Sequence, residues 1–216
     1  MSVSLCTTCG TPSLTQFASP DLVEKIVYEG HDRADDPAWR ESGAATLEDY
    51  ARWCSHLCGI ACLRMALGPD APSLFELRDG ALKYGAYTED APDAGGMIRG
   101  LIYAPFAEYV RDVHGVEATV HRHLTLDEIV PLLDAGRTVM VSVHFEIRRP
   151  ERPAPGRGGH LVLITGRAPD GSLHFHNSSG IDAGTRVAEL SPAAFEPFFA
   201  GRGVSMATRS GVSATR

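Results

Sequence analysis

The chain has 216 residues, 44% of them hydrophobic, and a formal charge of −7. That length and apolar share suit one α+β domain with a real core, and the acidic balance, with no basic stripe laced by aromatics, speaks against nucleic acid as a partner. No apolar run approaches the ~18 residues of a membrane span and the first ten residues lack a basic-then-apolar leader, so no membrane partner and a cytoplasmic location are expected.

Residues 1–45 read as an N-terminal extension. It carries Cys6-Thr7-Thr8-Cys9, a CxxC pattern. As half of a zinc site it needs two further ligands, and none at matching spacing follows nearby, so an exposed tail is expected. Residues 21–28 suit a short helix after Pro20 or a strand, and 31–43 a loop. Thr46, with an acid three residues on, caps a helix through Leu47, Tyr50 and Trp53. A break near Ser55–Leu57 puts Cys58 at the start of the next helix, which stops at Gly68-Pro69. Cys54, Cys58 and Cys62 recur at helical spacing. In a chain with an odd number of cysteines they read as reduced thiols, with Cys54 and Cys62 in the core.

Ser73 caps a helix to about Tyr84. Met97–Val113 has helical spacing with a kink at Pro105. Val116–His121 reads as a strand, and Thr125 caps a helix ending at Gly136. Arg137–Ile147 alternates as a strand. His160–Gly166 is apolar enough for a central strand, and Pro169-Asp170-Gly171-Ser172 turns it into Leu173–Asn177. A short helix after Ser191-Pro192 and a strand over 204–208 follow. The pairs His121/His123 and His174/His176 sit at i, i+2 on single strands and read as solvated faces rather than metal ligands.

Three residues carry chemistry. A thiolate is the reactive form of cysteine, and a helix N-terminus and a neighbouring imidazolium both stabilise it. Cys58 has the first, and its backbone N–H is placed to donate to an oxyanion. About a hundred residues on, Gly158-Gly159-His160 opens the apolar strand and offers a base. Period two puts Leu173, Phe175 and Asn177 on one face of the paired strand, so the hairpin brings Asn177 to His160 as its orienter. The loop 148–157, rich in Arg and Pro, sits just before His160, as a lid over the site or a solvated loop.

The segments Cys58-Gly59-Ile60-Ala61-Cys62-Leu63-Arg64-Met65 and Gly158 to Asn177 resemble the papain-like cysteine peptidases, in particular the double-glycine (bacteriocin-processing) branch and its stand-alone bacterial relatives. The resemblance covers roughly 46–208, leaving a tail at 209–216. It implies a papain-like α+β fold, with an N-terminal helical half whose Cys helix packs on a C-terminal antiparallel sheet. It also implies Cys58, His160 and Asn177 as catalytic residues, a peptide or small acyl substrate, no cofactor and no metal. Two positions depart from the family: Asn177-Ser178 stands where this branch often has Asp-Pro, and Arg52 where it has a Gln that donates to the oxyanion. Either Arg52, Ser55 or His56 substitutes for that donor, or the oxyanion hole is weakened. Peptide hydrolysis through a Cys58 thioester is the first expectation. An amide-forming acyltransferase of the same fold is the second, and a binding module without chemistry the third.

Overall fold

The computed structural model describes residues 4–90 and 96–207; Gly95 and the expected tail 209–216 lie outside them. The chain opens with a short hairpin, β1 (Ser4–Leu5) and β2 (Pro12–Ser13), then a 3-10 turn at Pro20–Leu22 and α1 (Val23–Tyr28). Two further 3-10 turns, Arg33–Asp35 and Trp39–Ser42, occupy the stretch read as a loop. Residues 14–23 are part of the core: Leu14, Phe17, Ala18 and Val23 are buried in the same cluster as the central helices. Each large apolar side chain so buried contributes about 1.5–3 kcal/mol.

The expected caps form. Thr46 Oγ1 accepts from the Asp49 N–H and opens α2 (Leu47–Trp53), which a 3-10 turn at Cys54–His56 ends. α3 (Cys58–Leu67) follows, then α4 (Leu74–Lys83), whose Ser73–Glu76 capping box is complete. Arg78 ties α4 to α2: its guanidinium is bidentate to Asp49 at 2.6 and 2.9 Å and lies over the rings of Trp53 and Phe75.

One helix differs from its prediction. α5 spans Tyr103–His114, and Met97–Ile102 is not helical. Pro105 falls in the first turn, where its missing N–H leaves no intrahelical bond unmade, so no kink is needed. After α5 come β3 (Ala118–His121), α6 (Leu126–Asp134), β4 (Arg137–His144), β5 (Gly159–Arg167) and β6 (Leu173–His176). The strand expected to reach Ile147 stops at His144. There the imidazole Nδ1 accepts the Glu146 N–H at 3.2 Å and caps a 3-10 turn, Phe145–Arg148. The chain closes with α7 (Ala183–Arg186), β7 (Val187–Leu190), α8 (Pro192–Phe195) and β8 (Phe199–Ala207).

The six long strands form one antiparallel sheet in the order β3-β8-β4-β5-β6-β7. One face, through Met140, Leu161, Leu163, Val204 and Met206, packs on the helical half. The other, through Val139, Val141, Val143, Val162, Ile164 and Phe175, is covered by Ile129 of α6 and by Phe195, Phe198 and Phe199. The class is α+β, and α3 lies against the central strand β5. Gly59 makes that approach possible, because a Cβ there would stand 2.9 Å from Leu161 and 2.6 Å from Leu101.

Candidate active site

The break between α2 and α3 makes Cys58 the first residue of α3, as the sequence predicts. Its backbone N–H therefore belongs to the first turn, where helical N–H groups lack an intrahelical acceptor. Cys58 is partly exposed at a cleft floor, yet protein surrounds its sulfur. Burial pushes its thiol above the usual value, opposed by the N–H groups of Leu161, Gly59 and Cys58 itself and by the charge of Arg148. Cys54 is buried away from the cleft and burial pushes it up to about 12. Cys62 is buried with its Sγ against the Leu161 carbonyl at 3.7 Å.

His160 stands at the start of β5, paired with Val143 of β4. Gly158 and Gly159 just before it take φ of +82° and +97°, which an L side chain rarely adopts. His160 Nε2 lies 2.8 Å from Asn177 Oδ1, one residue past the end of β6. An Nε2–H donated to that oxygen leaves Nδ1 as the free base. The Asn177 oxygen is itself fixed by the Ser179 N–H at 3.0 Å and the Ser179 hydroxyl at 3.1 Å. Burial lowers the His160 pKa to about 3, reinforced by the Arg148 charge and opposed by Asn177. Both shifts disfavour a thiolate–imidazolium pair.

A stability consequence follows. The unfolded chain protonates His160 near pH ~6.5, the folded one only near 3. Unfolding thus takes up a proton at intermediate pH. The stability from burying the neutral ring is full above about pH 6.5 and is lost as pH falls toward 3. Thermal melts of wild type and His160→Gln across this range are expected to converge as the buffer becomes acidic; parallel curves would refute this.

Cys58 and His160 sit where two cavities meet, with no hydrogen bond between them in this conformation. One cavity is a cleft of about 780 Å³, lined also by Tyr103, Arg122, Ser142 and Arg202. The other, about 280 Å³, is lined also by Gln16, Arg33, Phe145 and Arg148. A chain laid through both would cross the thiol midway.

Three residues at this site escaped the sequence reading. Arg148, from the expected lid, is partly buried, and its Nε donates to the Ser179 carbonyl at 3.1 Å and hydroxyl at 2.9 Å. Its neighbours in that loop are also held, Arg149 by Glu24 and the Tyr28 ring and Arg157 by Glu196. Ser179 is the second residue, its hydroxyl 2.9 Å from His160 Nε2. The third is Gln16. Its backbone N–H donates to the Ser178 carbonyl at 2.9 Å, its Oε1 accepts from the Ser178 hydroxyl at 3.1 Å, and its Nε2 donates to the Cys54 carbonyl at 2.9 Å. Among the expected substitutes, Arg52 turns away to Glu89 and the Gly96 carbonyl, and Ser55 accepts from Arg33, while His56 lines the larger cavity.

The other cysteine and histidine expectations need correction. Cys6 and Cys9 are not an exposed tail, and His174 and His176 are not a solvated face. The histidines are 5% and 0% exposed. Cys6 Sγ lies 3.3 Å from His174 Nε2, and Cys9 Sγ 3.2 Å from His176 Nε2. Sheet pairing buries this side of β6 between β5 and β7, and the N-terminal hairpin covers it.

No family model matches the chain, and no curated protein does. Among solved structures, a Bacillus anthracis protein named provisionally as a C39-like peptidase is similar at a TM-score of 0.48 and 12% identity. The likeness covers 72% of this chain and 90% of that one.

Proposed function

We propose that this chain is a papain-like cysteine hydrolase that cleaves a peptide amide bond through a Cys58 thioester. One observation carries the reading: His160, oriented through Nε2 by Asn177, shares two joined cavities with a thiol at a helix N-terminus. Cys58 Sγ attacks the scissile carbonyl and His160 Nδ1 takes the thiol proton as the bond forms. The same proton passes to the leaving amine as the tetrahedral intermediate collapses. Water, deprotonated by His160, then attacks the thioester and returns free Cys58 and a carboxylic acid. Asn177 Oδ1 holds the Nε2–H throughout and keeps Nδ1 in the acceptor state.

Two donors suit the oxyanion. The first is the Cys58 backbone N–H. The second is Gln16, which takes the role left open at Arg52: one of its two Nε2–H bonds goes to Cys54, and the other is available to the cavity it lines. Arg33 and Arg148 on the smaller side favour a substrate with acidic groups there.

Intact-mass spectrometry with a panel of activated peptide esters tests the reading. A mass increment of one acyl group, mapped to Cys58, absent in Cys58→Ala and released by water, is the expected result. Release mainly to an added amine would replace hydrolysis with acyl transfer, and no adduct from any donor would leave only the binding module. In the free protein, the rate of Cys58 alkylation by iodoacetamide is expected to rise on the alkaline side of an ordinary cysteine, as the raised thiol requires.

A further inference from the structure

We propose that Cys6, Cys9, His174 and His176 form a binding site for a tetrahedral divalent metal of the zinc type, which clips the N-terminal hairpin to β6. The four donor atoms all lie within 4.8 Å of one another. A tetrahedral zinc with bonds of about 2.3 Å to sulfur and about 2.0 Å to nitrogen spaces its ligand atoms about 3.3–3.8 Å apart. The Cys6–His174 and Cys9–His176 sulfur–nitrogen separations, 3.3 and 3.2 Å, already approach that spacing. Two thiolates and two imidazoles in a tetrahedron are the donor set that selects zinc over magnesium, calcium or manganese.

The surroundings suit a metal better than two separate thiol–imidazole contacts. The Cys-x-x-Cys turn is tight: the Gly10 N–H donates to the Cys6 carbonyl at 2.8 Å and the Cys6 N–H to the Thr11 carbonyl at 2.9 Å. Both sulfurs are thereby presented from one side of a short hairpin. His174 and His176 alternate along β6 and present both Nε2 atoms on one face. Behind His174, Nδ1 lies 3.0 Å from Glu189 Oε1, its register partner on β7. A carboxylate on the far nitrogen is the usual way to fix the tautomer and orientation of a metal-binding histidine. Beyond Pro12, which is buried, the hairpin buries little: Leu5 is 52% exposed, and Thr7, Thr8 and Gly10 are exposed. A segment that buries so little apolar surface needs a staple.

The site is closed, with four protein ligands and none of them in either cavity at Cys58. It is therefore structural, and it stands or falls independently of the chemistry proposed for Cys58.

The test uses the full chain purified without a metal-affinity tag. Elemental analysis is expected to give one zinc per chain. After chelation, Co²⁺ titration should give the visible absorption of a tetrahedral site and a thiolate charge-transfer band. Cys6→Ser and Cys9→Ser should weaken that band, while Cys58→Ala leaves it intact. Glu189→Gln keeps all four ligands and the hairpin, and should reduce Co²⁺ affinity roughly 10- to 100-fold. The proposal is overturned by wild-type protein that takes up no metal, a cobalt spectrum of octahedral type, or a Cys6–Cys9 disulfide in protein purified without reductant. Loss of the band in Cys58→Ala would place the metal on the wrong thiol and overturn it as well.

Discussion

His160→Ala is expected to lower kcat/KM by about 10²- to 10⁴-fold for any acyl donor that labels Cys58, the range a positioned general base supplies. The size follows from the resting charge state. Burial holds the Cys58 thiol above its usual value and the His160 ring far below, so no thiolate stands ready at neutral pH. In the proposed mechanism the proton leaves the sulfur as the carbon–sulfur bond forms, and His160, held by Asn177 through Nε2 at 2.8 Å, accepts it. The deficit should shrink as pH rises toward the thiol's own ionisation, because hydroxide then does the work of the ring. A deficit independent of pH, or variant rates equal to wild type, would remove His160 from the mechanism.

Gln16→Ala is expected to lower kcat by about 10²- to 10³-fold with little change in KM, the loss seen when one oxyanion donor is removed. Gln16 is 2% exposed and held at both ends of its amide, by Ser178 on one side and Cys54 on the other. In its proposed role as oxyanion donor, an amide so fixed needs no reorganisation when charge develops on the carbonyl oxygen. The substitution also removes two buried hydrogen bonds, so the melting temperature should be followed alongside. A purely structural role would lower the melting temperature and spare kcat at temperatures where the variant is folded. A rise in KM with kcat unchanged would make Gln16 a ground-state contact instead.

What could be read from the sequence was what neighbours in sequence decide. Thr46, Ser73 and Thr125 announce their helices because each cap bonds a backbone N–H three residues on. Cys58 at a helix start, and Asn177 brought beside His160 by the β5–β6 hairpin, follow from one break signal, one turn and a period of two. Gln16 was invisible because nothing within the first twenty residues says that they pack beside α3 and behind β6. The same distance hid Cys6 and Cys9 from His174 and His176: each half looks incomplete, and only the docking of the N-terminal hairpin on β6 brings them together. Pro105 shows the opposite error. Its effect depends on where the helix begins, and apolar spacing alone overran that start by six residues.

The N-terminal hairpin and β6 also constrain when the protein becomes complete. Cys6 meets His174 across 168 residues, Cys9 meets His176 across 167, and Gln16 meets Ser178 across 162. Contacts so far apart in sequence are costly in loop closure and form late in folding. During synthesis the segment around Gln16 leaves the ribosome early and has no partner until Ser178 has followed it out. The nascent chain thus carries Cys58 before the contact between Gln16 and Ser178 can form. On the proposed function, the site is therefore completed only after the C-terminal part of the chain has been made.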